Sequence, residues 1–123
     1  MASEGYAVLV VEHADGSASM CRTHDGSWKG YSGLGDKRAQ VSKLNHRVQE
    51  VEAAYALLQR LQAGGAVQQQ QGEEEKEREQ AFAGLLDLDS VSLAGHSYGG
   101  VTAAAAAATL PWVKAVVTLC PWW

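Results

Sequence analysis

The sequence predicts an α/β fold, a parallel sheet of about three strands joined by crossover helices, and three observations carry that reading. Apolar runs at Tyr6–Val11, Val91–Ala94 and Lys114–Leu119 alternate with two helical segments, the order of two βαβ units. The middle run leads straight into Gly95-His96-Ser97-Tyr98-Gly99, a G-x-S-x-G placed between a strand and an alanine-rich stretch. Between the first two strands, Asp36 to Ala63 repeats apolar residues at intervals of three and four.

Taken in order, Tyr6-Ala7-Val8-Leu9-Val10-Val11 is continuous and rich in β-branched residues, the pattern of a strand buried on both faces. Turn formers follow from Glu12 to Ser19, at the strand end where open α/β sheets place ligand loops. His13 and Asp15 stand there, either as acid–base or metal groups or as a turn held by side-chain hydrogen bonds, and the turn is the simpler reading. Met20 to Gly35 has no sustained period and reads as an exposed loop, with His24, Asp25, Trp28 and Tyr31 in it. The helix that follows puts Val41, Leu44, Val48, Val51, Tyr55, Leu58 and Leu61 in one stripe, with Lys43, Arg47, Glu50 and Gln59 on other faces. Asp36 suits its start and Gly64-Gly65 its end, and His46 is expected on its surface. A Gln/Glu-rich insertion at about 66–80 cannot bury apolar surface and is expected to be solvated, with an acidic interaction site as the alternative. Asp87 to Ser90 turns into the second strand, Val101 to Thr109 is a slim alanine helix that Leu110-Pro111 ends, and Cys120-Pro121-Trp122-Trp123 exits the third strand.

The G-x-S-x-G has the form of a nucleophile elbow. A serine pushed onto a sharp strand-to-helix turn exposes its hydroxyl, and the turn has room only for residues without bulky side chains. Gly95 and Gly99 are expected to supply that room and Gly100 to let the helix pack close to the strand. The backbone N–H of Tyr98 then points where an oxyanion would form, beside the positive end of a helix.

Composition narrows the classes. With 123 residues, 46% of them hydrophobic, and a net charge of −4, the chain is one globular unit at most. Acidic residues outnumber basic ones, which gather into no stripe, so nucleic acid is an unfavoured partner. Cys21 and Cys120 fit neither a disulfide framework nor a zinc spacing. No signal peptide and no stretch long enough to span a bilayer is present, which leaves the compartment open with the cytoplasm slightly favoured.

Together, Val11-Glu12-His13-Ala14-Asp15-Gly16-Ser17-Ala18-Ser19, the helix from Arg47 to Gly64, the elbow from Asp89 to Gly100 and the exit Thr118-Leu119-Cys120-Pro121-Trp122 resemble the platelet-activating-factor acetylhydrolase family, of the plasma and intracellular type II kind. The resemblance implies a partial α/β-hydrolase fold, with residues 1–123 the central part of a single domain. It implies a serine esterase similar to 1-alkyl-2-acetylglycerophosphocholine esterase, which releases a short sn-2 acyl group from a phospholipid without a metal or other cofactor. Ser97 would be the nucleophile, the Tyr98 N–H half of the oxyanion hole, and Trp122 a candidate for the acyl pocket. The substrate partner is then a phospholipid or short-chain ester, with peripheral membrane or lipoprotein contact admitted for a full-length enzyme.

The sequence also departs from that pattern. Cys120 aligns with the triad's acid, which a thiol cannot replace, and no histidine or aspartate follows Ser97. The expectation is therefore a fragment, inactive alone, unless His13 or His24 serves as base. Two other readings share the serine: a non-catalytic α/β-hydrolase-like module, and a dienelactone-hydrolase-like or cutinase-like carboxylesterase.

Overall fold

The computed structural model describes residues 4–23, 25–65, 77 and 79–121. Among them, residues 6–11 form no strand, and Tyr6 and Val10 are 67% and 85% exposed. The run lies along an open groove shared with Ala53, Ala54 and Leu57 of the long helix. The expected first strand is thus absent, and with it the third member of the parallel sheet. An apolar, β-branched pattern reports a fit to a half-buried pleated surface; a strand also needs a neighbouring backbone to take its N–H and C=O groups.

The stretch read as a loop contains a short hairpin instead. Strands β1 (Met20–Arg22) and β2 (Trp28–Gly30) pair antiparallel, with Cys21 opposite Lys29. Thr23 and Ser27 close the turn, the Thr23 N–H donating to the Ser27 carbonyl at 2.9 Å, and Gly26 takes the left-handed conformation the turn needs, at φ +84°. Cys21, the middle residue of β1, is buried.

Helix α1 (Lys37–Gln62) starts and stops where its end signals stand. The Asp36 carboxylate accepts from the Ala39 N–H at 2.8 Å, and Gly64, at φ +74°, lets its own N–H and that of Gly65 return to the Leu61 and Arg60 carbonyls. The expected stripe is its covered side from Leu44 to Leu61, with Val51 buried; Val41 at its start is exposed, and Arg47, expected on another face, is buried as well.

After a single 3₁₀ turn at Leu88–Ser90, capped by Asp87, comes the strand–helix–strand unit that carries the elbow. Strands β3 (Ser92–His96) and β4 (Ala115–Leu119) pair in parallel, from Ser92 opposite Ala115 to His96 opposite Leu119, across helix α2 (Tyr98–Thr109). Helix α2 lies against this two-stranded sheet, and α1 packs on α2. Alanine suits that place, because a bare methyl lets the helix axes and the sheet come close, and Ala106 is fully buried. Val51, Ala106 and Leu110 form the core, with Val48, Leu93, Trp112 and Val113 against it. The Tyr55 ring of α1 stacks on Trp112, centroids 4.0 Å apart and planes at 5°. Ser92, Ala94 and His96 face solvent, so β3 is covered on one face only.

Candidate active site

Ser97 sits at the joint between β3 and α2 with φ +55° and ψ −122°, a backbone conformation that L-residues rarely hold. Three things fix it there. The Ser97 N–H donates to the Leu119 carbonyl at 2.9 Å, tying the turn to β4, and the N–H groups of Gly100 and Val101 return to the Ser97 carbonyl. Gly95 has no room for a side chain: a Cβ there would stand 2.1 Å from the Gly99 oxygen. Gly100 is packed less tightly, a Cβ there lying 3.2 Å from the Gly95 oxygen, a close approach that helps α2 start against the strand. At Gly99 a Cβ would meet nothing within 4 Å, so this glycine contributes its closely approaching carbonyl rather than side-chain room.

Opposite the elbow stands the His13–Ser17 turn, and α1 holds it through side chains. Glu50 takes the His13 Nδ1 at 2.6 Å on one oxygen and the Ala14 N–H at 3.0 Å on the other, where the exposed His46 also reaches it at 3.2 Å. Asp15 closes an Asx turn by accepting from the Ser17 N–H at 2.9 Å and the Ser17 hydroxyl at 2.6 Å. Its other oxygen accepts from the Arg47 Nε at 2.6 Å, and Lys43 donates to the Asp15 carbonyl. Burial pushes the Asp15 carboxyl up, but hydrogen bonds from Arg47 and Ser17 and the Arg47 charge outweigh it and hold the group well below the usual carboxylate range. The turn reading of His13 and Asp15 describes Asp15 well, and the structure adds long-range partners for both.

The two walls enclose an open pocket of about 470 Å³ lined by His13, Ser17, Arg47, His96, Ser97 and Tyr98, among others. A strained serine at a strand-to-helix turn, at the carboxyl end of a parallel pair and on the wall of a pocket, is an arrangement suited to nucleophilic attack on an ester. The family model for platelet-activating factor acetylhydrolase, isoform II, matches residues 1–123. The chain belongs to that family. No curated protein and no solved structure matches it. The acetylhydrolase family is of the α/β-hydrolase type and its members are ester hydrolases, which agrees with the parallel pair and crossover helix seen here.

Within this acetylhydrolase-family chain, Ser97 and Tyr98 lie together on the pocket wall, Tyr98 as the first residue of α2. Trp122 and His24 lie outside the described residues. Cys120, aligned with the expected acid, is a free and exposed thiol at φ +47° immediately after β4. His13 shares the pocket with Ser97, and Glu50, which orients it, had only its helical position to mark it in the sequence. Arg47 was expected on a polar face; the acid it pairs with, 32 residues earlier, gives no local signal. No helix among the described residues is long and apolar enough to cross a membrane.

Proposed function

We propose that the protein is a serine esterase that releases a short acyl group, acetate foremost, from the sn-2 position of an ether or ester phospholipid. The observation that carries this reading is Ser97 itself, held at φ +55° on the pocket wall in a chain of the acetylhydrolase family. The Ser97 Oγ attacks the ester carbonyl as its proton passes to a base, the carbonyl oxygen takes the negative charge near the Tyr98 N–H, and collapse expels the lysophospholipid, which takes up that proton, and leaves an acyl-serine for water to cleave. Trp122 follows the strand that neighbours Ser97 and is assigned to the acyl side of the site. Activity of this chain, expected to be inactive alone unless His13 or His24 serves as base, then rests on His13, whose Nδ1 is held by a carboxylate as a triad's acid holds its base.

The test is hydrolysis of a sn-2-acetyl phospholipid and of a simple chromogenic acetyl ester, with fluorophosphonate labelling, in the protein and its Ser97→Ala variant. Serine-dependent labelling and release of acetate from the phospholipid are expected. Turnover that survives in Ser97→Ala, or a folded wild-type protein that neither labels nor hydrolyses, overturns the reading. Faster cleavage of the simple ester alone would favour a dienelactone-hydrolase-like or cutinase-like carboxylesterase.

A further inference from the structure

We infer that Arg47, locked by Asp15, is a positioning residue for the oxyanion donor and acts on catalysis through Tyr98; the inference rests on the esterase reading above. Among the described residues, the buried polar side chains are Asp15, Arg47 and Thr102, at 7%, 7% and 3% exposure, and all three belong to one network beside Ser97. A buried ion pair is a poor way to gain stability, because apolar side chains of similar volume do as well or better. Its position here points to another use.

The guanidinium makes four contacts that fix its plane. Nε donates to Asp15 at 2.6 Å, one terminal nitrogen donates to the Ser17 hydroxyl, the other reaches the Thr102 hydroxyl at 3.5 Å, and the Cζ lies 4.4 Å from the centroid of the Tyr98 ring. Tyr98 is then held at three points. Its ring lies under the cation, its hydroxyl donates to the Gln40 carbonyl of α1 at 2.7 Å, and its own carbonyl accepts from Thr102 at 3.0 Å. A residue pinned at ring, hydroxyl and carbonyl has little freedom to rotate its peptide N–H. An oxyanion donor contributes through that aim, since it must already point where charge develops. Arginine suits the task because its fork is planar, stacks on aromatic rings and keeps its charge; lysine offers a point charge and no plane.

The experiment compares wild type with Arg47→Lys and Arg47→Met, each checked for folding by circular dichroism. Read out are kcat and KM on the chromogenic acetyl ester, and amide hydrogen exchange at Tyr98 against Val117 in β4. Loss of kcat by about ten- to a hundredfold with KM little changed is expected in both variants, the scale of a small misplacement at a reacting centre. Faster exchange at Tyr98 with Val117 unaltered should accompany it, and lysine should restore folding without restoring kcat. Unchanged kcat per folded molecule, or acceleration at Val117 equal to that at Tyr98, overturns the positioning role while leaving the esterase reading intact. Absence of Ser97-dependent turnover in wild type overturns both.

Discussion

The two walls of the Ser97 pocket are built by opposite means. The elbow wall is held by its own backbone: Ser97 bonds to Leu119, and Gly95 lets the Gly99 carbonyl approach within a distance no side chain tolerates. The facing turn is held by side chains from another element, with Glu50, Arg47 and Lys43 of α1 reaching residues 13–17 across 28 to 37 positions of sequence. One wall therefore depends on the absence of atoms, the other on the presence of charges. Damage to the first should be steric and local, and damage to the second electrostatic and dependent on pH.

Gly95→Ala is the most severe way to break this contrast. The new methyl would meet backbone, which cannot rotate away, so destabilisation of about 4 kcal/mol or more in urea unfolding is expected, in the range that marks a disrupted core. A loss below about 1 kcal/mol would show that the elbow opens easily.

Removing one partner of the buried pair comes next. Arg47→Met should cost about 3–5 kcal/mol, because it strands the Asp15 carboxylate in a buried place. The pH dependence has a definite sign. Asp15 is held below its unfolded value of about 3.9, so its contribution is complete above that pH and is lost as pH falls further. Unfolding free energy measured from about pH 5 downward should drop steeply in wild type and less steeply in Asp15→Asn. Equal slopes would mean that the pair is not formed in solution.

Ser97→Gly sharpens the comparison from the other side and has the smallest expected effect. Glycine accepts φ +55° without steric cost, so the variant should gain about 1 kcal/mol in stability while losing all serine-dependent labelling. A variant less stable than wild type would mean that the serine hydroxyl holds the turn together.

The same contrast explains what could be read in the sequence. The elbow, α2, β4 and both ends of α1 are encoded by neighbours: glycines at fixed spacing, an aspartate cap, an alanine run, a proline. The charged wall is encoded by pairs, and nothing near Arg47 or Glu50 announces Asp15 or His13. That is why Arg47 reads as a surface residue until the fold brings its acid to it. Tyr6 to Val11 fails for a related reason, since apolar composition records a tendency to be covered but names no partner strand.

The stacked rings of Tyr55 and Trp112 give the molecule an optical signature. They join α1 to the turn after α2, whereas Trp28 is 68% exposed and reports chiefly on bulk water. The part of the near-ultraviolet dichroism band and of the indole emission that is lost in Trp112→Phe would follow the seating of α1 separately from its helix content. Loosening of the helix that presents Arg47 and Glu50 to the pocket would then be visible as a change of light, without any attached label.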